Sequence, residues 1–166
     1  MGAALPLAKT IARSTATALL WGMAMTISAA ASLLLRGRLE TFHLPTILTI
    51  FFAGGFLAWL LTELVGWSVI SLARRRSRRQ WPRAVLAGTG LAAATLFVTA
   101  ALFALEYRSF YARWHAETLS RVWLLQFAFT SASAYYQFAV MALRLYLPLG
   151  PFFLVAGTWI MLRRMR

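Results

Sequence analysis

The sequence predicts an all-α fold, a polytopic integral membrane helix bundle with four or five transmembrane helices. Three observations predict it. The 166 residues are 61% hydrophobic and 13% charged, with a mean hydropathy of +0.69, whereas soluble domains carry about 25% charged residues. The apolar residues gather in long runs, and most charges lie between those runs. Strands are not expected, because the runs lack the polar–apolar alternation of a membrane barrel.

The apolar runs define the expected spans within a single membrane domain, residues 1–166. A bilayer core of about 30 Å requires roughly 20 helical residues. Each run has that length or nearly so and contains at most one charged residue. The runs are residues 14–35, 44–73, 84–105, 122–143 and 145–162.

The last run is ambiguous, since it is either a span or a re-entrant segment. Pro148, Gly150 and Pro151 favour a turn or a break, because proline has no backbone N–H to donate. In a third arrangement residues 138–162 form the last span, and residues 122–137 lie at the interface.

The basic residues predict the orientation of the bundle. The N-terminal segment carries Lys9 and Arg13, and the loop at residues 74–83 carries six arginines without an acid. The first outer loop has two arginines against one glutamate, and the third loop has three against two. Basic loops stay in the cytoplasm. We therefore expect a multi-pass protein of the cell membrane, specifically the bacterial inner membrane, with a cytoplasmic N-terminus.

The arginine loop is a candidate contact for anionic lipid, since each such charge contributes roughly 1 kcal/mol near a membrane surface. The simpler interpretation is that it only fixes topology. Nucleic acid would use the same charges, but topology already explains the cluster, so we do not expect nucleic acid as a partner. The candidate residues are Arg74, Arg75, Arg76, Arg78, Arg79 and Arg83.

Glu63 is the one ionisable residue deep within an apolar run. A carboxylate there is costly unless it is protonated, paired or hydrated. One hypothesis is an intramembrane polar site for a proton or cation, formed with Tyr135 and Gln137. The alternative is a structural role, in which Glu63 is hydrogen-bonded between helices or extends toward the arginine loop.

Residues 106–121 predict an outer, interfacial amphipathic segment. Tyr107, Phe110, Tyr111 and Trp114 fall at helical spacing and place four aromatic rings on one face. Such a face anchors in the headgroup region. The alternative is that it docks a partner or a lipid-linked substrate.

Residue types that catalysis or metal binding would need are missing or scattered. The chain has no Cys, Asp or Asn, which excludes thiolate chemistry, disulfides and N-glycosylation. His43 and His115 lie in separate outer loops without the spacing of a metal site. We therefore expect neither an enzyme nor a bound metal or cofactor.

Small residues at four-residue spacing favour close helix packing. Ala18, Gly22, Thr26 and Ala30 form one such stripe. Packing within the bundle is the preferred interpretation, and a seam between subunits is the alternative.

Two functions fit these patterns. The first is a non-enzymatic accessory, assembly or stabilising subunit of a larger membrane complex. Its expected partners are the lipid bilayer and other membrane subunits or a second copy of the chain. The second is a small transporter or flippase for an anionic or lipid-linked substrate, working through Glu63.

Overall fold

A computed structural model describes the backbone of residues 4–41, 43–76, 80–111 and 114–164. It describes the side chains of residues 8–41, 43–66, 81–111 and 114–164. Most of these residues are helical, and none of them forms a strand. The five α-helices are α1 (Ala4–Leu35), α2 (Leu44–Arg76), α3 (Gln80–Tyr111), α4 (Arg121–Gln137) and α5 (Gly150–Arg164).

The ends of the helices follow local sequence signals. Gly37, with φ of +63°, follows α1, and the amides of Gly37 and Arg38 donate to the carbonyls of Leu34 and Leu33. This is the Schellman arrangement, which favours glycine at the left-handed position. At the start of α4 the Ser120 hydroxyl accepts a hydrogen bond from the Trp123 amide at 3.1 Å, as an N-cap does.

Three helical segments are long and apolar enough to cross a membrane: Ala8–Leu35, Leu44–Gly66 and Trp81–Tyr111. The segments Arg121–Tyr146 and Gly150–Arg164 meet at a bend of 79° and would together supply a fourth span. The structure therefore supports three or four spans. It does not support five, because the fourth and fifth apolar runs are the two arms of one bent unit.

The bend replaces the continuous helix expected over residues 122–143. The α-helix ends at Gln137 and continues as a π-helical turn, Phe138–Ala142, and a 3-10 turn, Leu143–Tyr146. We call residues 138–149 the break. The sequence placed a discontinuity at the prolines, and the distortion of the helix begins ten residues before Pro148.

Two further boundaries differ from expectation. Helices α2 and α3 extend to Arg76 and Gln80, so most of the expected loop at residues 74–83 is helical. The expected amphipathic segment at residues 106–121 begins as the last turns of α3, which reaches Tyr111. A long helix can extend past its apolar run because each added residue forms one more backbone hydrogen bond.

Helix α5 runs antiparallel to α1, in register along its whole length. A Cβ on Gly150 would lie 3.8 Å from the Ser28 hydroxyl, and one on Gly157 would lie 2.6 Å from the Trp21 indole. At the far end, an Arg164 Nη donates to the Arg13 carbonyl at 2.7 Å. The register brings the end of α5 to the same end of the bundle as the start of α1.

The core lies where α1, α2, α3 and α5 meet. The indoles of Trp21 and Trp59 are in contact, with ring centroids 5.9 Å apart. Met25, Leu91 and Met161 are fully enclosed around them. Because lipid gives no hydrophobic drive between helices, this close packing is what orders the bundle.

Candidate functional site

The candidate site includes backbone carbonyls of the break that have lost regular α-helical hydrogen bonds. The Ser28 hydroxyl lies 2.9 Å from the Tyr146 carbonyl and 3.2 Å from that of Leu145. The Ser32 hydroxyl lies 3.3 Å from the carbonyl of Arg144. An unsatisfied carbonyl in a bilayer costs several kcal/mol. The two serines of α1 therefore stabilise the irregular backbone from the side.

Proline explains the arrangement at Arg144, whose carbonyl accepts instead from the Leu147 amide at 3.1 Å. In a regular helix the Arg144 carbonyl would accept from the amide of residue 148, but Pro148 has none. Ser28 and Ser32 are one helical turn apart and both are buried. The only sign of this contact in the sequence is the pair of serines at four-residue spacing within an apolar run, and it was not among the predicted site residues.

Two buried side-chain hydrogen bonds hold the bent unit and α1 against α3. The Tyr146 hydroxyl lies 2.8 Å from the Thr99 hydroxyl, and the Trp21 indole N–H donates to the Thr95 hydroxyl at 3.1 Å. Both threonines lie on the same face of α3, one turn apart. These four polar side chains thus bind one another inside the bundle.

Between the break and the bundle lies a crevice of about 500 Å³. Its floor is formed by Trp21 and Met25 of α1 and by Leu96 of α3, and its outer wall by Leu143 and Leu147 of the break. The lining is overwhelmingly apolar. We call this space the crevice; its volume falls within the range of small-molecule and lipid sites.

One arginine side chain lines the crevice, and a second lies near it. Arg144 lines it, is exposed, and donates from Nε to the Met141 carbonyl at 3.0 Å. The Nε of Arg36 lies 3.5 Å from the Ser32 hydroxyl, which itself meets the Arg144 backbone. Within the described ranges neither guanidinium forms an ion pair. The rim is therefore positively charged.

Glu63 lies elsewhere and has a partner. Its carboxylate forms an ion pair with Arg164 at 2.5 Å, and the two side chains are 13% and 27% exposed. Arg164 thereby joins α5 to α2 through Glu63 and to α1 through the Arg13 carbonyl. Pairing was one solution expected for Glu63, but the sequence does not identify Arg164 as the partner, because it leaves the path of the last apolar run open.

The structure does not bring Glu63 together with Tyr135 and Gln137. Gln137 donates from its amide to the Tyr107 hydroxyl at 3.2 Å, near the opposite end of α3, and Tyr135 is exposed. The contact of Gly54 with Thr99 places Glu63 level with about residue 90 of α3. Gln137 bonds Tyr107, so at 1.5 Å per residue Glu63 and Gln137 are about 25 Å apart along the bundle. The three residues therefore do not form one polar site.

The four aromatic residues of the expected docking face do form a cluster. Tyr107 and Tyr111 have ring centroids 4.6 Å apart, and Phe110 and Trp114 have centroids 5.6 Å apart. Phe110 and Trp114 are largely exposed. The cluster sits at the end of α3, beside α4.

The other candidates are less informative. The side chains of Arg74, Arg75, Arg76, Arg78 and Arg79 lie outside the described residues; Arg83 is described and half-buried. Among the described residues, no group of three or more His, Cys, Asp or Glu side chains could hold a metal ion.

Comparison of the chain with protein-family models, with curated proteins and with solved structures gives no match.

Proposed function

We propose that this protein is a non-enzymatic accessory, assembly or stabilising subunit of a larger membrane complex. The observation that supports it is the exposed apolar surface of α4, which the protein's own bundle does not cover. The interior polar contacts described above act between helices, and this supports a structural role more than a chemical one.

The position of α4 supports this proposal. Phe127 of α4 contacts the Arg108 guanidinium, 4.1 Å from the ring centroid, while Gln137 bonds the adjacent Tyr107. Two points about 15 Å apart on α4 thus meet neighbouring residues of α3. Together with the 79° bend toward α5, this means that α4 crosses the end of the bundle instead of running along it.

The side of α4 that faces away from α3 is mostly apolar and includes one exposed serine, Ser133. We call this side the outer stripe; it includes Phe129 and Tyr136, which are 71% and 70% exposed. A helix lying at a membrane surface normally has one polar face, and α4 has no charged residue after Arg121. A partner helix packed on this side of α4 would cover its exposed apolar surface. The outer stripe consists of Val122, Leu125, Phe129 and Tyr136.

A photocrosslinking amino acid at Phe129 should capture a distinct membrane polypeptide, or a second copy of this chain, in stoichiometric yield. Phe97 of α3 is the matched control, because it is 67% exposed and lies midway along a membrane-spanning helix, where lipid surrounds it. Crosslinking at Phe129 but not Phe97 is expected. The measurement is gel mobility followed by mass spectrometry of the crosslinked band.

A substitution distinguishes specific docking from chance proximity. Phe129→Ser should release the partner during purification in mild detergent, whereas Phe97→Ser should retain it. A homogeneous free monomer from native membranes, with equal crosslinking at both positions, would contradict the proposal.

We also propose the orientation and location expected from the arginines: a bacterial inner membrane protein with a cytoplasmic N-terminus and a fourth span formed by the break and α5. The register supports this arrangement, since it returns Arg164 to the end of the bundle that carries Arg13. Positive charge then gathers on the cytoplasmic side.

The chain contains no cysteine, so single cysteines report topology without background. In intact cells, a membrane-impermeant thiol reagent should label Arg38→Cys and should leave Lys9→Cys unlabelled until the membrane is opened. The reverse pattern would invert the orientation. Labelling is read by the mass shift of the purified chain.

The alternative function, a transporter or flippase working through Glu63, receives less support. Transport through a carboxylate requires that the group reach a cavity, and Glu63 is paired with Arg164 and does not line the crevice. The substrate class of that hypothesis, a molecule with an apolar part and an anionic part, nevertheless fits the crevice itself.

A further inference from the structure

The crevice has the depth of one membrane leaflet. Its rim lies level with Ser32, whose hydroxyl meets the Arg144 backbone, and its floor lies at Trp21. These residues are eleven positions apart on α1, about 16 Å at the helical rise. That is about half of a roughly 30 Å hydrocarbon core.

The interior of the crevice suits a hydrocarbon chain. The polar groups on its floor, the Trp21 indole and the Thr95 hydroxyl, bond each other, and Thr95 also bonds the Leu91 carbonyl at 2.7 Å. The remaining walls are aliphatic side chains such as Met25, Leu96 and Leu154. A polar ligand would find few partners there, whereas each buried methylene group of a lipid chain gains about 0.8 kcal/mol.

The rim suits an anionic headgroup. The backbone of Arg144 and the side chain of Arg36 meet at the same serine, Ser32, and no acidic side chain within the described ranges pairs with either arginine. Guanidinium groups bind phosphate oxygens with parallel N–H donors. Two of them without an acid favour a net negative headgroup over a zwitterionic one.

We propose that the crevice is a binding site for one anionic glycerophospholipid, with an acyl chain between α1, α3 and the break and its phosphate at Arg144 and Arg36. The lipid would fill the space that the break opens beside the bundle. This proposal is independent of the partner that covers α4, because the crevice and the outer stripe are formed by different residues.

Native mass spectrometry of the full-length protein from mild detergent tests the proposal. After exchange into defined mixtures, the protein should retain one phosphatidylglycerol in preference to phosphatidylcholine. Arg36→Gln and Arg144→Gln should each weaken phosphatidylglycerol binding about five-fold, the effect of one arginine near anionic lipid. Arg38→Gln is the control, since it removes an exposed arginine of the same loop, and it should change binding less than two-fold.

A second variant tests whether the crevice binds the acyl chain of the lipid. Ala92→Phe fills the crevice from α3 and should reduce retention of both lipids, while millimolar inorganic phosphate should displace neither. Equal retention of the two lipids, or phosphatidylglycerol binding that survives both arginine substitutions, would overturn the proposal. Displacement by inorganic phosphate alone would also overturn it, since it would show an anion site without a chain. Melting temperatures of the variants within a few degrees of wild type establish that each is folded.

Discussion

Gly22→Leu should lower the melting temperature of the protein in detergent. A Cβ at Gly22 would lie 2.7 Å from the Phe52 carbonyl oxygen and 3.1 Å from its ring. The carbonyl belongs to the backbone of α2, so it can move only if the two helices separate. Overpacking typically costs about 1–3 kcal/mol, and separation would also disturb the contact of Gly55 with Met25. The measurement is thermal unfolding by tryptophan fluorescence.

Gly90→Leu is the matched control for that experiment. Gly90 lies within α3, and nothing lies within 4 Å of the position its Cβ would occupy. Leucine is a better helix former than glycine by nearly 1 kcal/mol, so this variant should be as stable as wild type or slightly more stable. If Gly22→Leu melted no lower than Gly90→Leu, the α1–α2 contact would not have the geometry described.

The helices themselves could be predicted because lipid leaves few alternatives. A run of about 20 apolar residues must satisfy its backbone internally, and α1, α2 and α3 each contain such a run. The small residues of α1 also predicted close helix packing, and Gly22 packs directly on α2. Helix ends were less predictable: α3 extends to Tyr111 because nothing in the sequence from Glu106 to Tyr111 stops a helix.

The break was foreseeable only in part. Pro148 and Pro151 predicted a discontinuity. Its form, however, depends on hydrogen-bond donors more than a hundred residues away in the chain. Ser28 can stabilise the carbonyls of the break only because α5 returns along α1. No local pattern encodes that return. The crevice could not be predicted for the same reason, since its walls come from four separate segments: α1, α3, the break and α5.

The ion-pair partner of Glu63 could not be predicted from the sequence for the same reason. A single acid in an apolar run indicates that a partner exists, yet it does not identify which of seventeen basic residues it is. The order of the spans decides that Arg164, 101 residues away, reaches it. The three residues grouped from the sequence do not come together in the structure, because Gln137 lies at the other end of the bundle from Glu63.

Arg164→Ala should destabilise the bundle strongly, because it leaves Glu63 in a mostly buried position without its counter-charge. Removing one partner of a buried ion pair costs roughly 3–5 kcal/mol. The partial exposure of Arg164, 27%, moves the expected cost toward the lower end of that range. The loss of the hydrogen bond to the Arg13 carbonyl adds to it. The expected result is a clear fall in the detergent melting temperature.

The double variant separates the charge effect from the loss of packing. Glu63→Gln removes the charge that Arg164→Ala leaves behind, so the pair of substitutions should be more stable than Arg164→Ala alone. Glu63→Gln alone should cost less, since Arg164 keeps the Arg13 carbonyl and a glutamine oxygen as acceptors. Arg163→Ala is the control: Arg163 is exposed and stacks on the Trp159 ring at 3.6 Å, and its removal should leave the melting temperature nearly unchanged. Additive effects of Glu63→Gln and Arg164→Ala would show that the two side chains do not interact, and the contact between α5 and α2 would lose its support.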